Sequence, residues 1–430
     1  MTPVGTRRVV VTGLGVACGL GLDPETFWQR LVAGESGIRR LSLGAIGDTL
    51  PVTIAGAIPD EWLSAAVRRH RLREVDRNGQ LSLYVAERAL ADAGLPTDGA
   101  NPRNMDVIVG SGHGNVSISN EVALLLEREG YRKVRPTAVV RGMFNRPAHL
   151  ISIRYRLTGS SHVVSCACAS GLVALGEAFH RIRFGLTDQV LAGAVDTALD
   201  LTTVAAWNRL GVMSRIPEPE RASRPFDRGR DGLVIGEGSA AFVLESLDSA
   251  RARGARPLAE VVGYAETSDA ASLVQPVAEG QVRALRKALA TAGLSSADVD
   301  YVNAHGTGTV VSDLVEAAAL GEALGDHAGR VPVSTTKGQL GHLMGATAGV
   351  ELVSTILALR RGLIPACRNL DDPDPRCALN FVRGEPLKTS VTVALKTSFA
   401  FGGTNSVAIL RRWDEDDASS APVTPSMPPA

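Results

Sequence analysis

Ala89-Leu-Ala-Asp-Ala-Gly-Leu95 recurs late in the chain as Ala288-Leu-Ala-Thr-Ala-Gly-Leu294, and it does not recur alone. The apolar stretch Leu258–Gly263 resembles the opening strand around Val9-Val10-Val11. Asp300–Gly308 repeats the strand and glycine turn of Asp106–Gly114. The strand, turn and helix from Val333 to Gly362 echo those from Val164 to Gly185, and Phe401–Leu410 echoes Gly236–Leu244. The same order of strands and helices twice over predicts a duplicated α/β unit, with halves at residues 1–255 and 256–412. Residues 413–430 are acidic, then rich in Ser and Pro, and are expected to form a disordered tail. Equivalent turns of two related halves face each other across a pseudo-twofold axis. The turns at 168, 305, 342 and 401 are therefore expected to meet at one pocket.

The turn at 168 is the most reactive of these. His162-Val163-Val164 reads as a short strand, and Leu172, Leu175, Phe179 and Ile182 recur at helical spacing up to a cap at Gly185. Cys168 thus sits where a strand turns into a helix. A thiol there projects from a sharp bend, feels the positive end of the helix, which favours thiolate, and has free helix N–H groups beside it for an oxyanion. The plain alternative makes Cys166 and Cys168 small core residues.

Composition excludes some other functions. The 430 residues carry 45 Lys+Arg against 45 Asp+Glu, which argues against bulk nucleic-acid binding. No apolar run is long enough for a membrane span, and the N-terminus opens into a strand rather than a signal peptide. The five cysteines, at 18, 166, 168, 367 and 377, show no metal-type spacing and predict reduced thiols in the cytoplasm, with no metal site. Gly13-Leu-Gly15 begins a dinucleotide fingerprint, but Cys18 stands where its third glycine belongs. Asp23 and Pro24 mark the start of a helix at 23–33, and residues 215–232 read as a long loop. The densest positive cluster, Arg68, Arg69, Arg71 and Arg73, reads by itself as a solvated face.

Five ordered motifs carry a resemblance to a known family. They are Cys168-Ala-Ser-Gly171, Arg224-Pro-Phe-Asp-Arg-Gly-Arg-Asp-Gly232, Asn303-Ala-His-Gly-Thr-Gly-Thr309 with Asp313, Lys337-Gly-Gln-Leu-Gly-His342, and Phe399-Ala-Phe-Gly-Gly-Thr-Asn405. From residue 7 to 412 the chain resembles the elongating, decarboxylating beta-ketoacyl-acyl-carrier-protein synthases of the thiolase superfamily. The resemblance implies an α/β thiolase-like fold of two βαβαβαββ halves in five α-β-α-β-α layers. It implies a decarboxylative condensation of an acyl group with malonyl-acyl carrier protein, in fatty-acid or, more specifically, type II polyketide synthesis. Cys168 would carry the acyl group, and His305 and His342 would stabilise the enolate formed when malonyl thioester loses carbon dioxide. Lys337 and Glu351 would form a supporting pair, and the N–H groups of Cys168 and Phe401 the oxyanion hole. Thr307 and Thr309 would line the channel for the substrate's pantetheine arm, with Phe401 gating the acyl pocket. No cofactor is implied beyond the phosphopantetheine of the carrier. The partners implied are an acyl carrier protein steered by the Arg68–Arg73 cluster, and a second copy or a chain-length factor completing a dimer.

The chain also departs from the family pattern. Ser272 and Val274 stand where many relatives have a His and a Thr facing the arm. His113 replaces an apolar residue at the base of the acyl pocket, and Trp207 replaces a Phe. These changes point to a shorter or more polar acyl chain. The loop 399–405 lacks the second cysteine of thiolases, and His342 stands where initiating synthases have Asn. Two other readings compete: a non-catalytic chain-length-factor-like subunit, which would lack the reactive cysteine, and a nicotinamide oxidoreductase.

Overall fold

The computed structural model describes residues 6–69 and 75–414. The apolar stretches become strands and the amphipathic ones helices, in the order β1 (Val9–Ala17), α1 (Arg77–Asp92), β2 (Asp106–Gly110), α2 (Arg146–Tyr155), β3 (Ser161–Val164), α3 (Ser170–Arg183), β4 (Gln189–Asp196) and β5 (Gly238–Ser246). The series then repeats as β6 (Ala259–Ser268), α4 (Ala278–Ala292), β7 (Tyr301–Asn303), α5 (Val310–Leu324), β8 (Pro332–Ser334), α6 (Thr347–Arg361), a short β9 (Asn380–Phe381), β10 (Val393–Phe399) and β11 (Thr404–Arg412).

Pairing bears out the repeat. The strands form a continuous sheet in the order β9-β8-β7-β10-β11-β6-β1-β5-β4-β2-β3. Leaving out β9, each run of five has the same order and the same directions. β2 lies parallel to β3 and β4 as β7 does to β8 and β10, and the strand pairs toward the middle are antiparallel. Among the described residues the two runs join through a short antiparallel contact of Val9–Val11 with Ala259–Val261. Arg8 clamps this seam with two hydrogen bonds of 2.8 Å to Glu260.

The two runs cover opposite sides of α3 and α6, giving five layers: α1 and α2, one run, α3 and α6, the other run, then α4 and α5. Every residue of α6 from Thr347 to Leu359 is buried, as a helix enclosed on all sides requires. Caps fall where side-chain chemistry places them. Asp23 accepts from the Thr26 N–H at 2.9 Å to start the helix Pro24–Val32, and Gly362 ends α6 with a positive φ of 60°. The loop 215–232 contains one short helical turn, Pro219–Ala222.

Gly13 and Gly15 form no nucleotide-binding turn. β1 runs straight through them, and a Cβ on either would lie 2.2 or 2.1 Å from a carbonyl oxygen of α1. These glycines let a helix lie close on the strand, which removes the oxidoreductase reading. Trp413 also departs from expectation: instead of starting a loose tail it packs under the Arg8 guanidinium, 5.3 Å from the ring centre. Residues 415–430 lie outside the described residues.

Where α3 passes α6 the packing leaves no room. A Cβ at Gly171 would lie 2.8 Å from the Ala194 Cβ and 3.0 Å from the Gly349 N. We predict that Gly171→Ala lowers unfolding free energy by about 1–3 kcal/mol, the usual range for overpacking. A urea denaturation midpoint unchanged from the parent would contradict this.

Candidate active site

The parallel strands of both runs point their carboxyl ends at one region, the usual place for a site in an α/β sheet. Cys168 follows β3 in a tight turn, Ala167–Ala169, whose first residue has a left-handed φ of 47° despite its side chain. The turn is braced locally. Ser170 accepts from the Cys166 N–H at 2.9 Å and donates to the Ala167 carbonyl at 2.7 Å, while Ser398 donates to the Cys168 carbonyl at 3.2 Å. The N–H groups of Phe401 and of Cys168 itself point at the sulfur. Burial pushes the thiol up to about 11, although the Lys337 charge and those two N–H groups pull the other way. Desolvation thus works against the lowering expected at a helix end.

His305 follows β7 and His342 follows β8. Both are buried, and their rings meet edge to face with centroids 5.5 Å apart. The His305 N–H donates to Glu316 Oε1 at 2.7 Å and to Thr397 Oγ1 at 2.9 Å, and the Gly306 N–H to Glu316 Oε2 at 2.7 Å. The His342 N–H donates to the Val234 carbonyl at 2.6 Å, and its Nδ1 accepts from the Met344 N–H at 3.0 Å. An Nδ1 that accepts leaves the proton on Nε2, so neutral His342 is a donor at that end. Burial, then the Lys337 charge, holds both imidazoles well below the usual histidine range.

Beneath the histidines lies a buried charge cluster. Lys337 Nζ and Lys396 Nζ each lie 2.8 Å from a different oxygen of Glu351. Lys337 also donates to the His305 carbonyl, and Lys396 to the Thr397 carbonyl at 2.6 Å. Burial works against the Glu351 carboxylate, but the two ammonium groups hold it below the ordinary range. Burial lowers Lys396 to about 8. The Lys337–Glu351 pair was foreseen from the sequence, whereas Lys396 was not. Its only signal is a lone lysine inside the apolar strand β10.

Cys168, His305 and His342 line one cavity of about 410 Å³. Thr307, Thr309, Trp207, Phe401, Ser272 and Val274 line it too. Thr307 and Thr309 share a hydroxyl contact at 3.0 Å. Their loop is held by Asp313, which accepts from the Thr307 and Gly308 N–H groups at 2.9 and 3.1 Å and whose carboxyl burial pushes up to about 6. His113 does not line the cavity. It stands behind Trp207, whose Nε1–H donates to its Nε2 at 3.4 Å. Sequence reasoning also missed Asp196, at the end of β4. It accepts from the Ser111 hydroxyl and from the N–H groups of Gly112, His113 and Gly345, at 2.6–3.0 Å, tying the two loops together. Its signal is a carboxylate closing an otherwise apolar strand. Of the basic cluster, Arg68 is exposed at the end of the helix Asp60–Arg69, and Arg71 and Arg73 lie outside the described residues. The side chain of Arg69 lies outside them as well.

A half-buried cysteine beside two amide N–H groups, lining one cavity with two buried histidines, is an arrangement suited to acyl transfer from a thioester and to stabilising an enolate. Comparison with known proteins gives the family. The beta-ketoacyl synthase N-terminal domain matches residues 6–250 and the C-terminal domain residues 258–371, so the chain belongs to the beta-ketoacyl synthases. It is 37% identical over 423 residues to 3-oxoacyl-[acyl-carrier-protein] synthase 2 of Rhizobium meliloti, covering 95% of this chain and 99% of the relative. It is 37% identical over 433 residues to a mitochondrial 3-oxoacyl-[acyl-carrier-protein] synthase of Arabidopsis thaliana, with 93% and 92% covered. Among solved structures, the ishigamide ketosynthase/chain length factor superposes with a TM-score of 0.88 at 32% identity, covering 95% of this chain and 100% of that one. A type II polyketide synthase ketosynthase, solved with its acyl-carrier protein and bound to the hexaketide, gives 0.87 at 29% identity over the same shares. No helix among the described residues is long and apolar enough to cross a membrane.

Among the described residues, Glu351 is the carboxylate that both buried lysines contact. Glu351→Ala is expected to cost at least about 3–5 kcal/mol, the penalty for stranding a buried charge. Urea denaturation checks this, and a loss below about 1 kcal/mol would show that the lysines find other partners.

Proposed function

We propose that this synthase performs the elongating condensation itself and is not a silent subunit. The observation that carries this reading is the convergence of Cys168, His305 and His342 on one cavity. A subunit that only sets chain length would need none of the three.

In this reading Cys168 attacks the carbonyl carbon of an acyl thioester carried on the pantetheine arm of an acyl carrier protein. The oxyanion is received by the N–H groups of Cys168 and Phe401. The carbon–sulfur bond to pantetheine breaks, and the thiol proton of Cys168 ends on the departing pantetheine sulfur. A malonyl thioester then enters past Thr307 and Thr309. Its terminal carbon–carbon bond breaks, carbon dioxide leaves, and the electron pair becomes an enolate. The Nε2–H of His342, together with His305, donates to the enolate oxygen. Neutral donors suit this step, since a cationic imidazole would give its proton away and quench the carbanion. The enolate carbon attacks the acyl carbon on Cys168, the carbon–sulfur bond to Cys168 breaks, and the thiolate released takes a proton from water.

His113 and Trp207 favour a shorter or more oxidised chain, as in type II polyketide synthesis, over long saturated ones. We place the reaction in the cytoplasm, where its five free cysteines stay reduced. The Arg68–Arg73 cluster steers the acidic carrier, and a second ketosynthase-like chain, identical or a chain-length factor, adds at β3, which ends the sheet.

Intact-mass spectrometry after exposure to acyl carrier proteins bearing chains of graded length and oxidation tests this. We expect an acyl adduct on Cys168, absent in Cys168→Ala, that forms faster from short or oxygenated chains. We expect His342→Ala to load normally yet lose malonyl decarboxylation by about 100-fold or more. Absence of any adduct would refute the activity, and a preference for long saturated chains would refute the pathway.

A further inference from the structure

We infer that Gln281, in the first turns of α4, holds the carrier's pantetheine arm in the cavity by pairing its side-chain amide with an amide of the arm. This rests on the reading of Cys168 as the thiol that takes acyl groups from that arm, and it adds a binding residue to it.

Gln281 lines the same cavity as Cys168, His305 and His342, and only 1% of its surface is exposed. Its neighbours on α4 explain the burial but not the amide. Val282, Leu285, Ala288 and Leu289 are apolar and buried in the core that α4 forms with β6 and β11. Gln281 Oε1, in contrast, is buried with no hydrogen-bond partner. A polar group left unpaired out of water is unfavourable, and native folds keep few of them. A position that served packing alone would be better filled by Met or Leu. Nearby polar side chains of the cavity are already engaged. Asn405 donates to Asp269 Oδ1 at 2.7 Å and to the Gly403 carbonyl at 3.2 Å, and Asp269 Oδ2 accepts from the Val277 N–H at 3.0 Å. The backbone before Gln281 is fixed as well. Thr267 donates to the Gly280 carbonyl at 2.7 Å, and a Cβ on Gly280 would lie 1.9 Å from Asp269 Oδ1. The unpaired amide is therefore carried on an anchored helix start.

What an amide recognises identifies the ligand. A side-chain amide accepts at its oxygen and donates at its nitrogen, and turning it end for end exchanges the two. Its natural complement is a second amide, which offers one N–H and one carbonyl. The pantetheine arm carries two secondary amides, and every thioester that reaches Cys168 on that arm brings them along, whatever its acyl group. Taken out of water, those amides need partners as much as Gln281 does. One pairing satisfies both sides, and it serves the loading and the extending substrate alike. Gln281 thus binds the arm and touches no reacting atom.

The test needs no turnover. S-methyl pantetheine, which can transfer nothing, is titrated as a shield of Cys168 against iodoacetamide, followed by intact mass with Cys168→Ala as blank. A methyl thioether of triethylene glycol, which lacks amides, is the control ligand. In Gln281→Met the concentration of S-methyl pantetheine that gives half protection is expected to rise about three- to tenfold, the range of one lost hydrogen bond. Protection by the control ligand should stay within about twofold of the parent's. The urea midpoint of Gln281→Met should equal or exceed the parent's, because the substitution removes a buried group that the protein itself leaves unpaired. A parent that S-methyl pantetheine does not shield, an unchanged half-protecting concentration in Gln281→Met, or an equal loss with the control ligand would overturn the assignment. So would a lowered urea midpoint, which would show that the amide serves the fold. Shielding is read whether or not carrier-borne acyl groups load, so failure here and failure of the proposed activity are told apart.

Discussion

The site depends on one buried carboxylate shared by two buried lysines. Lys337 arrives from the turn after β8, Lys396 from the middle of β10, and Glu351 from the first turns of α6. Bringing three ionised groups out of water is unfavourable unless each is paired and hydrogen-bonded. Here the lysines also donate to backbone carbonyls, Lys337 to that of His305 and Lys396 to those of Thr397 and Asn303. The cluster therefore ties the backbone under one histidine to the strand that leads to Phe401. Its second effect is electrostatic. Ammonium charge beside two desolvated imidazoles disfavours a further positive charge on either and so favours their neutral form.

Duplication explains how such a cluster could be assembled around a thiol. Each half presents turns at the carboxyl ends of its strands, and α3 and α6 bring the two sets together. The turn after β2 is the counterpart of the turn after β7. In one half it holds His305 against Glu316, and in the other it holds His113 against Asp196. The two turns keep a glycine-rich backbone bound to a buried carboxylate, but only one presents its imidazole to the cavity. Its counterpart stands a layer back, behind Trp207.

Much of this was legible in the residues themselves. The repeat of Ala-Leu-Ala-x-Ala-Gly-Leu marks the ends of α1 and α4, the strand-to-helix turn isolates Cys168, and both histidines lie in glycine turns. What escaped reading has a common physical cause. Asp196 and Lys396 are single charged residues with partners far away in the chain, as when Asp196 binds the Gly345 N–H and Lys396 pairs with Glu351. Nothing local marks them as more than interruptions of an apolar strand or helix. The charge state of Cys168 escaped for a different reason. A helix end and its N–H groups are visible in sequence, but the desolvation that works against them comes from the assembled layers.

The central claim is that both histidines stay neutral donors beside a charged lysine cluster. Nitrogen-15 NMR of the protein labelled in its histidine side chains, followed from pH 8 down to pH 5, tests it most directly. The account predicts that His305 and His342, identified by their loss in single variants, keep neutral-imidazole shifts throughout, with His342 protonated on Nε2 alone. Titration of either ring near the ordinary histidine value of about 6.5, or a proton on His342 Nδ1, would contradict it.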